Sequence, residues 1–439
     1  MSDEILNGGI MNYEEARVYL AQVSKYGSVL GLENMKELLG RLGNPQDELK
    51  FIHISGTNGK GSLLAYLSTI LTEAGYRTGR YLSPTLFSYR ERIQVDGERI
   101  EREALARHVT SIARAAEEMK ADGKGCPTVF EIETALSFLY FREKKCDMVV
   151  LETGFGGLTD ATNIVKTTVL EVIAPISLDH REILGNTLHE IAVNKAGIIK
   201  PHTEVVSAWQ DPEAMEVIAA VSKEKESRLT VVVPENIQDI SYGYETQRFS
   251  YGEWKDIRIS LAGSYQIPNA ALALEAVNAL RRLGFALSEE AVYRGFEKTV
   301  WKGRFSPIHK EPVVILDGAH NPAAARVFRE SLELYFKDKK IYYIFGVFKD
   351  KDYPEIIRIT APLAEQIFTV QTPDNPRAMP AEELAEEVRK INPRAEAAAS
   401  VEEALQKSWK LAGKKDVIVA FGSLSFLGRV DRAVQMMEE

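Results

Sequence analysis

An apolar run, Phe51-Ile52-His53-Ile54, passes directly into Ser55-Gly56-Thr57-Asn58-Gly59-Lys60-Gly61-Ser62 and then into Leu63-Leu64-Ala65-Tyr66-Leu67. A buried strand, a glycine loop and a helix in that order restrict the chain to an α/β fold whose sheet ends on the loop. Glycines let consecutive backbone N–H groups turn inward onto an anion, the helix adds its positive N-terminal end, and Lys60 adds a point charge. Residues Gly56, Thr57, Asn58, Gly59, Lys60, Gly61 and Ser62 therefore read as a cradle for phosphates. The match to a strict Walker A is irregular, because Ile54 stands where a glycine is needed and Gly61 where a hydroxyl residue should follow the lysine. A magnesium ion accompanying those phosphates then needs ligands from elsewhere in the chain.

From Phe51 onward, short apolar runs alternate with helical patterns: Arg80–Ser83, Met148–Glu152, Val169–Ile173 and Glu204–Val206 each read as a buried strand. Such alternation gives a doubly wound, mainly parallel sheet. Between Asn236 and Leu261 polar and apolar residues alternate with Tyr, Phe and Trp, the pattern of a small antiparallel patch, and a helix is expected over Asn269–Leu283. Regular pattern stops at Trp301–Pro307 and resumes at Val313–Asp317. Residues 302–306 thus read as a linker between a P-loop domain, 1–301, and a smaller Rossmann-like α/β domain, 307–439. Strands of the latter are expected at Ile341–Phe345, Gln366–Val370 and Val417–Phe421. Ahead of the first strand, helical spacing begins at Tyr13, a second amphipathic helix ends near Gly43, and the residues before Met11 read as an unanchored leader.

A chain of 439 residues exceeds what one core usually serves, in keeping with two domains. Its net charge of −9 provides no basic excess for a nucleic-acid surface and leaves room only for a local positive pocket. The two cysteines, Cys126 and Cys146, lack metal-ligand spacing and point to a reducing compartment. No apolar run reaches the roughly 18 residues of a membrane span, and the N-terminus has no signal pattern. The expectation is a cytoplasmic protein, monomeric, with neither nucleic acid nor membrane as a partner.

Polar clusters recur where buried strands end, and in open α/β sheets ligands bind at that carboxyl edge. Glu152 ends one strand, and the glycine turn Thr153-Gly154-Phe155-Gly156-Gly157 folds away from it, a usual way to hold Mg²⁺ beside a nucleotide. Ser177-Leu178-Asp179-His180 follows another strand; its imidazole, taken alone, reads equally as a structural hydrogen-bonder. Lys195 closes a helix before Ala196-Gly197-Ile198-Ile199, where it is either a solvated lysine on the helix dipole or an ammonium partly desolvated by its neighbours. In the second domain Asp317-Gly318-Ala319-His320-Asn321-Pro322 and Phe421-Gly422-Ser423-Leu424-Ser425 repeat the strand-end arrangement. Arg304 in the linker could then clamp phosphates over a cleft between the domains.

Taken together, the loop at 56–62, Leu-Glu-Thr-Gly-Phe-Gly-Gly-Leu-Thr-Asp-Ala-Thr-Asn at 151–163, Leu178-Asp179-His180, Lys195-Ala196-Gly197-Ile198 and Asp317–Pro322 carry a family likeness. From about Met11 to its end, the chain resembles folylpolyglutamate synthase, including the bifunctional dihydrofolate synthase form, within the Mur ligase superfamily. A cell-wall amino-acid ligase of the same superfamily usually has Thr-Thr after the loop lysine, where this chain has Gly61-Ser62.

The resemblance implies ATP-dependent amide formation: a folate carboxylate takes the γ-phosphoryl group, and the amine of L-glutamate attacks the acyl phosphate. The acceptor would be a reduced folate, with dihydropteroate as a second candidate. Two Mg²⁺ sites are implied, one on Ser83 and Glu152 and one on Glu152 and His180, with a carbamylated Lys195 near the second; a monovalent cation is also allowed for. Lys60, His180, Lys195, Arg304 and His320 would serve catalysis, while Asn269, Arg304 and Asp317 would contact the nucleotide and His320 and Ser423 the glutamate. The pterin end would lie against Tyr26–Leu32, Thr128 and Phe130, and Asp160, although Phe130 reads equally as core.

Three positions depart from the family pattern: Thr85 where Ser-Pro-His-Leu is common, Tyr265 where Gly-x-His-Gln is usual, and Lys302 where a proline often precedes Gly-Arg. The last implies a looser hinge. Two other readings stand beside the ligase, namely a Mur-type ligase for another carboxylate and a P-loop ATPase switch that ligates nothing. Phosphate release that requires both a folate and glutamate separates the ligase from the switch.

Overall fold

The apolar run ahead of the glycine loop becomes β1 (Phe51–Ser55), buried along its whole length. Seven further strands join its sheet: β2 (Thr78–Tyr81), β3 (Ile93–Val95), β4 (Glu98–Arg99), β5 (Met148–Glu152), β6 (Thr168–Ile173), β7 (Glu204–Ser207) and β8 (Arg228–Val231). The order is β4-β3-β2-β5-β1-β6-β7-β8. Every pair from β2 to β8 in that order is parallel, and at the edge β3 pairs antiparallel with both β2 and β4. β5 is also buried at all positions, as expected of a parallel strand covered on both faces. Ile54 lies opposite Glu152 and Ser55 opposite Ile173, so the carboxyl ends of β1, β5 and β6 share one edge. The computed structural model describes residues 9–24, 31–373 and 375–438.

One face of this sheet buries Phe51, Tyr81, Val149 and Leu151 against Leu105, Ile132, Leu136 and Phe138 from the helices Arg102–Ala121 and Val129–Glu143. Farther along, Ile173 and Val205 pack on Ile191, Val217 and Ile218 of the helices Leu188–Ala196 and Pro212–Glu224. Such burial contributes on the order of 1.5–3 kcal/mol per large apolar side chain, which fixes the strand ends that the site uses.

The expected antiparallel patch is present as β9 (Ile237–Ser241), β10 (Gln247–Tyr251) and β11 (Trp254–Ile259). The last sheet holds β12 (Ser306–Lys310), β13 (Val313–Leu316), β14 (Ile341–Phe345), β15 (Gln366–Thr369), β16 (Ala395–Ala397) and β17 (Val417–Phe421). Its order is β12-β13-β17-β14-β15-β16, parallel apart from β12 against β13. Strand alternation sends Val313 and Ile315 to a core with Phe328, Tyr343 and Phe421, and Val314 and Leu316 to another with Leu405, Phe426 and Val430. Both faces are therefore covered, as in a Rossmann-like layer.

The chain divides into two compact units that are interleaved in sequence. One takes Met1–Ser83, Tyr89–Val233 and Ala271–Gly295; the other takes Pro84–Ser88, Pro234–Ala270 and Phe296–Glu439. Sequence pattern alone places a single break at 302–306, whereas packing groups the antiparallel patch with the C-terminal sheet.

Several boundaries differ from expectation. The helix read as Asn269–Leu283 spans Gln266–Arg282, because Pro268 falls in its first turn, where a missing N–H costs no intrahelical bond. β2 begins and ends two residues before the Arg80–Ser83 reading, which leaves Ser83 in the loop beyond it. Ser306, expected in the linker, opens β12 and pairs with Leu316. Lys302, in the residues read as a linker, has its ammonium 3.2 Å from the buried Asp431 carboxylate and over the Phe87 ring. Among the described residues, no helix is long and apolar enough to cross a membrane.

Candidate active site

The glycine loop bends onto the end of β6. Gly56 has φ of 144°, and a Cβ there would stand 2.5 Å from the Ala174 Cβ, so no other residue fits. The Thr57 and Asn58 N–H groups donate to the Pro175 carbonyl at 2.9 and 3.3 Å. Thr57 and Ser177 are joined twice: the Thr57 hydroxyl donates to the Ser177 carbonyl and accepts from the Ser177 N–H, both at 3.0 Å. The loop conformation is thereby fixed before any ligand arrives.

Gly59, left-handed at φ of 90°, caps the helix Lys60–Glu73 without a side-chain cap. Its first turn carries N–H groups that no earlier turn can bond, so the cradle fits an anion. Lys60 Nζ bonds the Gly56 and Thr57 carbonyls at 3.1 and 3.3 Å, and Lys195 Nζ bonds the same Gly56 carbonyl at 2.8 Å. Lys195 is 3% exposed, which resolves its reading in favour of a desolvated ammonium. Burial first, and the Lys60 charge second, push it down to about 7.

Glu152 is buried at the end of β5, Ser83 is half-buried just past β2, and His180 is exposed. His180 is left-handed, at φ of 51°, and its ring stacks on Phe155 with centroids 5.9 Å apart. Among the described residues no three His, Cys, Asp or Glu side chains gather closely enough to hold a metal by themselves. Ser83, Glu152 and His180 alone would not fill the octahedral shell of a magnesium ion, which would take further oxygen ligands from water or phosphate.

In the other unit, Asp317 follows β13 and is 3% exposed. Burial pushes its carboxyl up, and the Arg304 guanidinium and the Tyr265 hydroxyl pull against that. Arg304 Nη1 donates to the Gly303 carbonyl at 3.0 Å, and His320 Nδ1–H to the Gly318 carbonyl at 2.7 Å. The Asp317 N–H donates to the Ala420 carbonyl, bringing the end of β13 beside that of β17, where the Ser423 and Ser425 hydroxyls lie 2.8 Å apart. Asn269, buried, donates to Gln266 Oε1 at 3.2 Å.

The Mur ligase middle domain matches residues 54–277 and the Mur ligase glutamate ligase domain residues 303–424. The dihydrofolate synthase/folylpolyglutamate synthase of Bacillus subtilis is 34% identical, over 96% of this chain and 99% of its own. The chain belongs to the folylpolyglutamate and dihydrofolate synthase family of Mur ligases. Mycobacterium tuberculosis folylpolyglutamate synthase complexed with ADP superposes with a TM-score of 0.89 at 28% identity, covering 96% of this chain and 98% of that one. E. coli FolC in complex with DHPP and ADP gives 0.85 at 28% identity, covering 98% and 100%.

Against the family expectation for the pterin end, the described residues supply mainly scaffolding. Thr128 forms a capping box with Glu131, its hydroxyl accepting the Glu131 N–H at 3.3 Å while its own N–H donates to Glu131 Oε2 at 2.7 Å. Phe130 packs into the space a Cβ on Gly154 would need and sits 6.1 Å from the Tyr81 ring. Asp160 accepts from the Thr162 N–H and hydroxyl on one oxygen and from the Phe155 N–H on the other. Residues 26–30 of the Tyr26–Leu32 segment lie outside the described residues.

Replacing Asp160 with alanine strips a buried cap and leaves its donors unpaired, which should destabilise the protein by about 2–4 kcal/mol. Chemical denaturation measures this. Unchanged stability with a loss confined to folate affinity would assign Asp160 to ligand contact.

Sequence reading passed over the Thr57–Ser177 pair and the Tyr265–Asp317 contact. The first joins positions 120 apart and the second positions 52 apart, and neither spacing leaves a signal in one sequence. The capping box was visible as Thr128-Val129-Phe130-Glu131.

Proposed function

We infer that the chain uses ATP to join L-glutamate to the carboxylate of a reduced folate through an acyl phosphate, and that dihydropteroate is accepted as a second carboxylate substrate. The observation that carries this reading is the convergence of Lys60 and Lys195 on one carbonyl of a preformed phosphate loop. That loop lies on the sheet edge that ends in Glu152, in a chain of this family.

A carboxylate is a poor electrophile, and phosphorylation gives it a leaving group. Lys60 leaves the loop carbonyls for the outer phosphates, while the first-turn N–H groups of its helix receive the inner ones. Ser83, Glu152 and His180 would hold magnesium, which would supply charge neutralisation for the phosphates and the substrate carboxylate. Arg304, Asn269 and Asp317 contact the nucleotide, and His320 and Ser423 orient the glutamate. Lys195, buried and pushed down to about 7, would take up CO₂ as a carbamate with loss of a proton, which would make the side chain an anion rather than a cation.

The substrates are small molecules, and we place the reaction in the cytoplasm with the chain acting as a monomer. Cys146, its thiol pushed up to about 12 by burial, and the exposed Cys126 are both free thiols, which suits a reducing compartment.

Supplying dihydropteroate and tetrahydrofolate separately with Mg-ATP and labelled glutamate, and weighing the products, tests the assignment. Each should gain glutamate with equimolar phosphate release. Phosphate release independent of both folate and glutamate would replace the ligase by an ATPase. Glu152→Gln should cut activity at least about a hundredfold or sharply raise the magnesium needed, since a neutral amide loses the charge that holds the ion. A magnesium titration that superposes on wild type removes Glu152 from the metal site.

A further inference from the structure

Tyr265 immediately precedes the helix Gln266–Arg282, and the structure shows what its phenol does. Its hydroxyl donates to Asp317 Oδ2 at 2.9 Å. The Phe305 N–H donates to the same oxygen at 2.8 Å, and the Ala319 N–H to the other at 2.7 Å. Of these three donors, the phenol is the only side chain; the other two are backbone N–H groups, one from Ala319 next to Asp317 and one from Phe305 before β12. Removing it changes how the carboxylate is held without touching those N–H groups.

The turn that carries Tyr265 is itself held from several sides. The Tyr265 backbone carbonyl accepts from the Asn269 N–H at 3.3 Å, which places Tyr265 one turn before Asn269 on the same helix start. The preceding Ser264 N–H donates to the Ser331 hydroxyl at 2.9 Å. Gln247 Nε2 bonds the Gly263 carbonyl at 2.9 Å, and the Tyr335 hydroxyl bonds Gln247 Oε1 at 2.8 Å. A turn tied to β10 and to the helix Pro322–Phe336 in this way delivers the hydroxyl to one place.

We propose that Tyr265 is a positioning residue: its phenol fixes the orientation of the Asp317 carboxylate and joins it to the helix turn that carries Asn269. The proposal rests on the reading of Asn269, Arg304 and Asp317 as nucleotide contacts. Tyr265 links two of those segments, and the Arg304 charge faces the same carboxylate. Burial and the neighbouring Asp317 charge hold the phenol well above its usual range, so it remains a donor wherever the protein works. The groups facing Asp317 are Arg304 and Tyr265, and Tyr335 stands behind the phenol.

Binding of Mg-ADP to the full chain, measured by calorimetry from pH 5 to 9, tests this with Tyr265→Phe, Tyr265→His and Asp317→Asn. Loss of one hydrogen bond to a buried carboxylate should weaken ADP binding about tenfold in Tyr265→Phe. The acid limb of its pH profile should move to higher pH, because the hydroxyl favours the ionised carboxylate, while the thermal midpoint stays near wild type. Tyr265→His keeps an N–H donor and should recover most of the affinity.

Wild-type affinity and pH profile in Tyr265→Phe overturn the proposal. So does a joint fall in affinity and thermal midpoint with no pH shift and no recovery by histidine, which is what a merely structural residue would give. If Asp317→Asn binds ADP normally, the reading of Asp317 as a nucleotide contact fails and the role of Tyr265 fails with it. If Asp317→Asn is impaired and Tyr265→Phe is not, only the role of Tyr265 fails.

Discussion

Lys60→Ala should abolish ATP-dependent ligation, with turnover down at least about a thousandfold and the fold intact, because a preorganised cation on transferring phosphates is worth several kcal/mol. Its structural contribution is small by comparison. Lys60 is half-buried and its ammonium bonds two loop carbonyls, at 3.1 and 3.3 Å, while the loop is held independently by Thr57, Ser177 and the Pro175 carbonyl. The thermal midpoint should therefore move little. The substitution has a second readout, since the Lys60 charge is the largest influence after burial that pushes Lys195 down. Without it, Lys195 should hold its proton to higher pH. Product formation near the wild-type rate would remove the phosphate-loop assignment, whatever happened at Lys195.

The parts of this site that a single sequence reveals are those encoded locally. β1 and β5 are buried at every position, so each appears as an uninterrupted apolar run, and the residue that ends the run, Ser55 or Glu152, marks the ligand edge. The glycine loop is legible because Gly56 and Gly59 adopt backbone conformations that other residues resist. Short strands with exposed positions leave no such trace. β8, β12 and β16 carry too few buried residues to stand out from loops, and Ser306 was read as linker for that reason.

The contacts that orient side chains are illegible for a different reason. Tyr265 meets Asp317 only because the turn before the helix Gln266–Arg282 is tied to the helix Pro322–Phe336 through Ser264 and Ser331. Likewise, Pro84–Ser88 packs with the C-terminal unit although it follows β2 in the chain. Asp160, a carboxylate in the 151–163 motif, accepts from the Phe155 and Thr162 N–H groups and the Thr162 hydroxyl, a structural role that the motif does not reveal.

Lys195→Ala should lose activity by about a thousandfold or more, and short carboxylic acids should restore part of it if the side chain works as a carbamate. The physical basis is burial. In the folded chain the ammonium is pushed down to about 7 from an ordinary 10.5, with Lys60 adding to the effect and Asp179 and Asp160 opposing it. Between those two values the unfolded chain binds the proton and the native chain does not, so this group makes stability rise with pH, by at most about 1.4 kcal/mol per unit. Below about 7 the native amine is protonated as well and the gain stops. Only the neutral amine adds CO₂, forming the N–C bond and releasing a proton, so loading should increase as pH rises through that value. Activity in CO₂-depleted buffer should therefore fall and return with bicarbonate, more completely at pH 8 than at pH 6. With ¹³C-labelled bicarbonate, a carbamate carbonyl signal should appear in the wild type and be absent in Lys195→Ala. Near-normal activity of the unsupplemented variant, or a labelled signal that survives the substitution, would leave Lys195 as a buried amine bonded to Gly56 and no more.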